Sequence, residues 1–284
     1  MKNILLIGGS TGIGYELSKK LVDNNNVFIS TRNTEIFNGT EIKSHVLNLD
    51  EEFELDWLPD QLDGFVYLPG TINLRPFKGI KPSTFMDDFN INSSNVFVLS
   101  GPNLSKELHN KELTGTVIAG EDSEFIESLC NAFKTKYFIP FTNNDRYGVE
   151  LGGALKNIYA ILSGYFHKKG VGENTIGLLL TKCLSEMSEY SKARGANPST
   201  FLGLAGVGDF FSTALSHDSR NYKFGEFLAQ NKSPEEALEL VGDTVEGYAT
   251  SLSVSRNAKD LGVNLKLLNY LISIYEENNA INFF

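Results

Sequence analysis

The chain has 284 residues, which is enough to bury a large core and to form two domains. Its formal net charge of -10 argues against a nucleic-acid-binding protein, because phosphate backbones are bound by basic faces. The apolar run near the amino terminus is too short for a signal-peptide core or a membrane span, so we expect a cytoplasmic protein without a membrane span.

The first predicted element is a short apolar strand from Asn3 to Ile7, followed at once by a glycine-rich turn and an amphipathic helix. This order is typical of a dinucleotide-binding loop, in which the backbone approaches the pyrophosphate and the helix N-terminus faces its charge. A plain glycine-rich turn is the alternative. The candidate cofactor-binding residues of the turn are Gly8, Ser10, Thr11, Gly12, Ile13 and Gly14.

A second predicted strand, Val27 to Ser30, leads to Arg32 at the position where an acidic residue would bind the ribose hydroxyls. Arg32 can instead pair with a 2′-phosphate, which favours NADP over NAD as the cofactor. A solvated loop cation is the alternative interpretation. Two further strands are expected at His45 to Leu49 and at Leu62 to Leu68.

Residues up to about 96 resemble the short-chain dehydrogenase/reductase family. The matching motifs are Gly8-x-x-x-Gly12-x-Gly14, Ser30-Thr31-Arg32-Asn33, Tyr67-Leu68-Pro69-Gly70 and Asn92. That family carries out its chemistry with a serine and a Tyr-x-x-x-Lys motif further along the chain. Tyr190-Ser191-Lys192 has the wrong spacing, so we expect this active site to be absent.

Beyond residue 100 two short strands are predicted, Thr116 to Ala119 and Tyr137 to Phe141, and we expect them at the edge of the first domain's sheet. The sequence that follows these strands is predicted to be helical. Apolar residues recur at three- and four-residue steps from Leu151 to Tyr165, and Lys156 lies off this stripe, on the flank of the helix. A second stripe ends at Gly195, a predicted C-cap, and a capping box begins at Ser233.

The cysteines and histidines do not predict a metal site. Cys130 and Cys183 lie in apolar helical sequence and are expected to be reduced core residues. The 4 histidines have no metal-ligand spacing, so no metal is expected.

From Ser100 to about residue 275 a series of motifs resembles the NAD(P)-dependent glycerol-3-phosphate dehydrogenase family. The motifs are Ser100-Gly101-Pro102-Asn103, the run from Tyr147 to Asn157, the run from Gly195 to Phe201, Gly203 to Asp209, Ser219 to Gly225, and Val245-Glu246-Gly247-Tyr248. The resemblance implies that dihydroxyacetone phosphate and sn-glycerol 3-phosphate are interconverted by hydride transfer at C2, with NAD or NADP as cofactor.

The resemblance also implies roles for individual residues. Lys156 is the implied acid/base group at the C2 oxygen, and Asp209 is implied to orient Lys156 or to bind a hydroxyl. Arg220 is implied to clamp the phosphate or the cofactor. The other implied substrate-binding residues are Gly101, Asn103, Asn157, Ser219 and Asn221. The other implied cofactor-binding residues are Ser105 and Glu246. Taken singly, a flank lysine is usually solvated, and Gly-x-Gly-Asp is often a turn with an aspartate N-cap.

These observations predict an α/β fold, with a doubly wound Rossmann-type parallel sheet in residues 1–145 and an all-α substrate domain in residues 146–284. Residues 1–96 read as short-chain-dehydrogenase-like and residues 100–145 as glycerol-phosphate-dehydrogenase-like, so the chain looks chimaeric with a junction near Asn95 to Ser100. A natural fusion, an engineered recombinant and a misassembled reading frame would each fit. Lys78, in a Lys-Gly pair, is a candidate second functional lysine.

The predicted function is therefore a glycerol-3-phosphate dehydrogenase, with activity that the atypical first domain can impair. The alternatives are a short-chain carbonyl reductase, and a nucleotide-binding chimaera or engineered scaffold without turnover. The expected partner is a small phosphorylated substrate. A homodimer is a possible assembly.

Overall fold

A computed structural model describes residues 1–7, 12–31, 34–46, 57–59, 62–67 and 97–276. The chain divides into two compact units. The first comprises residues up to Phe97 together with Ser105–Leu113 and Ile118–Asn144. The second comprises Val98–Leu104, Thr114–Val117 and the chain from Asp145 onward.

The first unit contains a parallel sheet whose strands lie in the order that opens a Rossmann fold. Its strands are β1 (Lys2–Ile7), β2 (Asn25–Thr31), β3 (Lys43–Val46) and β4 (Gly64–Tyr67), in the order β3-β2-β1-β4. Each hydrogen-bonded pair is parallel, and Leu6 stands opposite Ile29 on one side and Val66 on the other. Helix α1 (Gly12–Val22) follows β1 in the chain, so the predicted strand and helix are confirmed, while residues 8–11 of the predicted turn lie outside the described residues.

Both faces of this sheet are covered. Leu6 and Ile29 pack on one face with Leu17 of α1, whereas Leu5 and Phe28 pack in a separate cluster on the other. Because successive strand residues point to opposite faces, burial of consecutive residues is what a sheet with cover on both sides requires.

A second sheet joins β5 (Val98–Ser100), β6 (Thr114–Ala119) and β7 (Phe138–Asn143), with β6 in the centre. Between these strands the chain forms α2 (Ser105–His109) and α3 (Ser123–Phe133). Among the described residues no strand of this sheet pairs with the first sheet, so the expectation that β6 and β7 lie at the edge of that sheet stays a prediction. Both edges of β6 are occupied by β5 and β7, which leaves it no edge for the first sheet.

The second unit is mostly helical. Its helices are α4 (Arg146–Lys168), α5 (Glu173–Ala193), α6 (Asp209–Ala214), α7 (Arg220–Ala229), α8 (Pro234–Val241), α9 (Glu246–Asp260) and α10 (Lys266–Tyr275), with a short 3₁₀ helix at Pro198–Leu202 and a π-helical turn at Leu204–Gly208.

Helix α4 is the centre of this unit. Every residue from 157 to 166 is buried, so the helix has no solvent face over this stretch and the expected single apolar stripe is too narrow a description. The reason is that α5, α6, α7 and α9 all pack against α4.

Several local predictions are confirmed. Gly195 follows the end of α5 with a φ of 87°, and Ser233 and Glu236 form the capping box of α8. Cys183 is buried, whereas Cys130 is only partly buried, so its expected core position is wrong. Cys130 lies on α3, which buries Ile126 but leaves neighbouring positions partly open.

The described ranges show neither a membrane-spanning helix nor a metal-binding cluster. No helix in them is both long enough and apolar enough to cross a membrane. They also contain no group of three or more His, Cys, Asp or Glu side chains that could hold a metal ion.

Candidate active site

Lys156 and Asp209 form an ion pair inside the helical unit. Lys156 lies on α4, and its Nζ is 2.5 Å from Oδ1 of Asp209, the first residue of α6. The Asp209 side chain is 2% exposed and that of Lys156 is 19% exposed, so the aspartate is the buried partner and the lysine retains limited access to solvent. The lysine is therefore not the freely solvated flank residue that its position off the apolar stripe suggested.

A buried carboxylate requires partners, and Asp209 has several. Its Oδ2 accepts a hydrogen bond from Ser100 Oγ at 3.5 Å, and it also accepts one from the backbone N–H of Gly101. Burial raises the pKa of Asp209, while the Lys156 ammonium and the bonds from Ser100 and Gly101 oppose that rise. The π-helical turn just before Asp209 places this residue at the start of α6, and such turns are frequent at functional sites.

The Ser100–Gly101 turn has a conformation that only glycine adopts readily. Gly101 has a φ of 145°, and a Cβ atom there would lie 3.2 Å from the Cα of Thr116. The turn is therefore packed tightly against β6. Asn103, two residues further on, donates from Nδ2 to Thr116 Oγ1 at 3.0 Å.

Three predicted polar residues form one hydrogen-bonded chain. Asn157 Nδ2 donates to Glu246 Oε2 at 2.9 Å, and Asn221 Nδ2 donates to Asn157 Oδ1 at 3.1 Å. The backbone N–H of Gly247 closes the chain by donating to Asn221 Oδ1 at 2.9 Å. The chain links α4, α7 and α9, and Asn157 is the residue next to Lys156 on α4.

Arg220 begins α7, and its Nη1 is 3.0 Å from Oδ2 of Asp243. Asp243 lies in the turn after α8, where Gly242 is left-handed, and its other oxygen accepts from the backbone N–H of Thr244 at 2.7 Å. Ser219 is the N-cap of α7, with Oγ accepting from the backbone N–H of Tyr222. This capping bond accounts for Ser219 without a ligand.

The predicted cofactor-binding residues are only partly described. Gly12, Ile13 and Gly14 form the first turn of α1, directly after the carboxyl end of β1. Ser105 begins α2. Gly8, Ser10, Thr11 and Arg32 lie outside the described residues, as does the candidate lysine Lys78.

A Tyr-x-x-x-Lys motif is in fact present beyond residue 96, at Tyr165 and Lys169. The prediction from sequence overlooked it. Tyr165 is 8% exposed in the core at the end of α4, and Lys169 caps that helix with its Nζ 5.5 Å from the centre of the Tyr165 ring. Burial raises the pKa of Tyr165, against an opposing hydrogen bond with Tyr270. A tyrosine that acts as an acid or base near neutral pH needs a lowered pKa, so Tyr165 is a residue of the helical core, and Lys169 is exposed beside it.

Three residues near these groups were not predicted as site residues from the sequence. Ser100 was named only within a motif, although it bonds Asp209 directly. Thr116 is fully buried and bonds both Asn103 and the Ser100 carbonyl. Asp243 pairs with Arg220. No signal in the sequence marks Thr116 or Asp243, because their roles come from tertiary contacts.

The chain is similar in sequence to a protein family and to several known proteins. Residues 145–283 match the family described as NAD-dependent glycerol-3-phosphate dehydrogenase C-terminus. A glycerol-3-phosphate dehydrogenase [NAD(P)+] of Pseudomonas fluorescens is 42% identical over 221 residues, covering 76% of this chain and 64% of the relative. One of Alcanivorax borkumensis is 49% identical over 177 residues, covering 62% of this chain and 52% of the relative. The chain thus spans less than two thirds of the length of these relatives.

Solved structures are similar over nearly the whole chain. Glycerol-3-phosphate dehydrogenase from Coxiella burnetii has a TM-score of 0.77 at 21% identity and covers 98% of this chain and 96% of its own. The Plasmodium falciparum enzyme has a TM-score of 0.78 at 20% identity, covering 98% and 92%. These similarities show the fold, an α/β Rossmann-type unit followed by a helical one, which confirms the predicted fold class.

The comparisons do not support the expected chimaera. Residues from Ser100 onward make up less than two thirds of the chain, so a match over 76% of it has to begin upstream of the expected junction. The similarity to solved structures likewise includes the amino-terminal region.

Proposed function

We propose that this chain is an NAD(P)-dependent glycerol-3-phosphate dehydrogenase that interconverts dihydroxyacetone phosphate and sn-glycerol 3-phosphate. The observation that carries the proposal is the ion pair between Lys156 and Asp209. In this pair a buried carboxylate holds an ammonium group that is still partly accessible to solvent. The similarity of residues 145–283 to the family of that name supports the same reaction. A short-chain carbonyl reductase is not favoured, because Tyr165 is a core residue.

Lys156 acts as the acid/base group. Its ammonium group has three protons and Asp209 accepts one of them, so two remain for a substrate oxygen. In the reducing direction the C2 carbonyl oxygen takes a proton from Nζ as C2 receives a hydride, and the lysine becomes a neutral amine. In the oxidising direction the amine takes the proton back.

Asp209 positions the lysine. The bonds from Ser100 Oγ and the Gly101 N–H fix the carboxylate from the other side, so Nζ is held by an anchored partner. Arg220 supplies a cation for the substrate phosphate or for the cofactor, and Asn221 and Asn157 supply amide groups beside it.

The residues of the first unit fit a bound dinucleotide. The strand order β3-β2-β1-β4 and a helix that begins with glycines after β1 are the features that cradle a pyrophosphate. Gly8, Ser10, Thr11, Gly12, Ile13 and Gly14 would hold the pyrophosphate, and Arg32 and Ser105 would contact the rest of the cofactor. The bound nicotinamide supplies or accepts the hydride. Arg32 makes NADP the expected preference over NAD.

The domain bounds, the cellular location and the assembly are also part of the proposal. The dinucleotide-binding domain corresponds to residues 1–145 and the substrate domain to residues 146–284, a division consistent with a helical unit that takes up the chain from Asp145. The protein is proposed to act in the cytoplasm, and a homodimer is a possible assembly.

The test is the oxidation of NADPH by purified protein, followed with dihydroxyacetone phosphate and with a panel of unphosphorylated ketones. Oxidation that depends on dihydroxyacetone phosphate is expected. Turnover with the ketones alone would instead indicate a carbonyl reductase. Nucleotide binding without turnover on either set would indicate a binding protein, and both outcomes would contradict the proposal.

A further inference from the structure

Thr116 lies at the centre of β6 beside the Ser100–Gly101 turn and is completely buried. Its hydroxyl group makes two hydrogen bonds. Oγ1 donates to the backbone carbonyl of Ser100 at 3.1 Å, and Asn103 Nδ2 lies 3.0 Å from the same oxygen.

The hydroxyl has one proton, and this fact sets the direction of both bonds. The Ser100 carbonyl oxygen can only accept, so the proton of Thr116 is committed to it. The hydroxyl oxygen must then be the acceptor toward Asn103, and Asn103 must present its NH₂ group. Thr116 thus fixes which end of the Asn103 amide faces it, and the amide cannot flip without losing this bond.

Because the NH₂ group of Asn103 faces Thr116, its amide oxygen Oδ1 points away from Thr116. Asn103 Oδ1 is buried, and within the described part of the chain it has no hydrogen-bond partner. A buried acceptor without a donor is costly, so such an atom is usually satisfied by something that binds there. Asn103 follows the turn whose Ser100 Oγ and Gly101 N–H bond to Asp209, the partner of Lys156.

We propose that Thr116 is a specificity-determining residue, because it commits Asn103 to accept a hydrogen bond from a hydroxyl group of the substrate. The inference rests on the proposed function. In dihydroxyacetone phosphate the donor is the C1 hydroxyl, the one group of the molecule that can donate a proton to an amide oxygen next to the reacting carbonyl. A substrate without that hydroxyl leaves Oδ1 unpaired.

The first arm of the test needs no variant. Acetol phosphate differs from dihydroxyacetone phosphate only in lacking the C1 hydroxyl. The wild-type chain is expected to favour dihydroxyacetone phosphate by about 10- to 100-fold in kcat/KM, the range expected for one buried, unpaired acceptor.

The second arm compares Thr116→Val with Thr116→Ser. Valine keeps the shape of threonine but loses the hydroxyl, so the Asn103 amide can rotate and the preference is expected to fall by about 3- to 10-fold. Serine keeps the hydroxyl, and the preference is expected to stay within about 2-fold of the wild type. Because both substrates are measured on the same preparation, a loss of folded protein cancels in the ratio.

The outcomes separate the two proposals. Equal turnover of the two substrates by the wild type would overturn the inference alone, even if neither variant folds. An undiminished preference in Thr116→Val would overturn the role of Thr116. A wild-type chain that neither binds nor reduces dihydroxyacetone phosphate would overturn the proposed function, and this inference with it.

Discussion

At the scale of single residues, the candidate site is a small set of polar groups held inside an apolar helical unit. Asp209 and Asn157 are each almost fully buried. Most of their side-chain hydrogen bonds are to other predicted site residues, and the others are to the Ser100 hydroxyl and the Gly153 carbonyl. Such networks fix side-chain positions when each member is satisfied. Lys156 therefore has a defined position before any ligand arrives.

Arg220 already has an anionic partner, so a substrate phosphate has to compete with Asp243 for its charge. Asp243→Asn removes that competitor and is expected to lower the KM for dihydroxyacetone phosphate by about 2- to 5-fold, a modest effect because both side chains are partly exposed. Steady-state kinetics measure it, with Asp260→Asn, an exposed position on α9, as the control. An unchanged or higher KM in Asp243→Asn would show that Arg220 does not bind the phosphate.

At the scale of elements, the crossing of α4 and α7 determines where Arg220 and Asn221 lie. The two helices meet at Gly164 and Gly225, where backbone touches backbone. A Cβ atom on Gly225 would lie 1.9 Å from the carbonyl oxygen of Ile161 and 2.8 Å from the backbone nitrogen of Tyr165. The glycines are therefore required by the close approach of the helices.

Gly225→Ala should consequently separate α4 from α7. We expect a loss of about 2 to 4 kcal/mol in the free energy of unfolding, together with reduced turnover, because Arg220 and Asn221 move with α7. Urea titration measures the stability. Gly177→Ala on α5 is the matched control, because its Cβ would meet nothing within 4 Å, and it should be neutral or stabilising by up to about 1 kcal/mol. Equal stability of the two variants would contradict the close crossing.

Glu186 ties α5 to the start of α10. Its carboxylate accepts from the backbone N–H of Leu267 at 2.7 Å, from that of Leu268 at 3.3 Å and from the Tyr159 hydroxyl at 3.1 Å. Burial nevertheless raises the pKa of Glu186, with these bonds opposing the rise. The folded chain therefore binds the Glu186 proton more tightly than the unfolded chain does.

The sign of the pH dependence follows from this raised pKa. The contribution of Glu186 to stability is complete below its unfolded pKa and is lost as the pH rises through the folded value. Relative to Glu186→Gln, which does not ionise, the wild type should lose free energy of unfolding as the pH rises from about 4 to about 7. Denaturant titrations across this range measure the difference. Glu239→Gln, at an exposed site on α8, is the control variant, and a flat curve for Glu186→Gln would contradict the burial effect.

The elements differ in how far the sequence could predict them. The strand and helix around the first glycine turn, the Gly195 cap and the Ser233 capping box follow from local patterns and are present. The all-round burial of α4 could not be predicted, because the number of helices that surround it is a tertiary property.

In the candidate site, too, some residues could be predicted from local motifs and others could not. Lys156, Asp209, Asn157, Asn221 and Glu246 stand in motifs, and the structure brings them into two bonded groups. Thr116 and Asp243 stand in no motif. Their partners are distant in sequence, so only the folded chain identifies them.

At the scale of the whole molecule, the similarity to glycerol-3-phosphate dehydrogenase structures includes the amino-terminal unit as well as the helical one. The glycine turn that resembles short-chain dehydrogenases therefore stands in a chain whose fold matches another family of dinucleotide enzymes. A Rossmann-type sheet presents the end of β1 and the start of α1 in the same way in both families, so a similar turn at that point is what the fold requires.

The most direct test of the central claim is the turnover of dihydroxyacetone phosphate and NADPH by Lys156→Met. The account predicts that kcat falls by about 100- to 10,000-fold while NADPH still binds, whereas Lys182→Met, at an exposed position on α5, keeps wild-type turnover. Addition of Asp209→Asn to Lys156→Met removes the carboxylate that would otherwise be left unpaired, and so controls for misfolding. Wild-type turnover by a folded Lys156→Met would contradict the account.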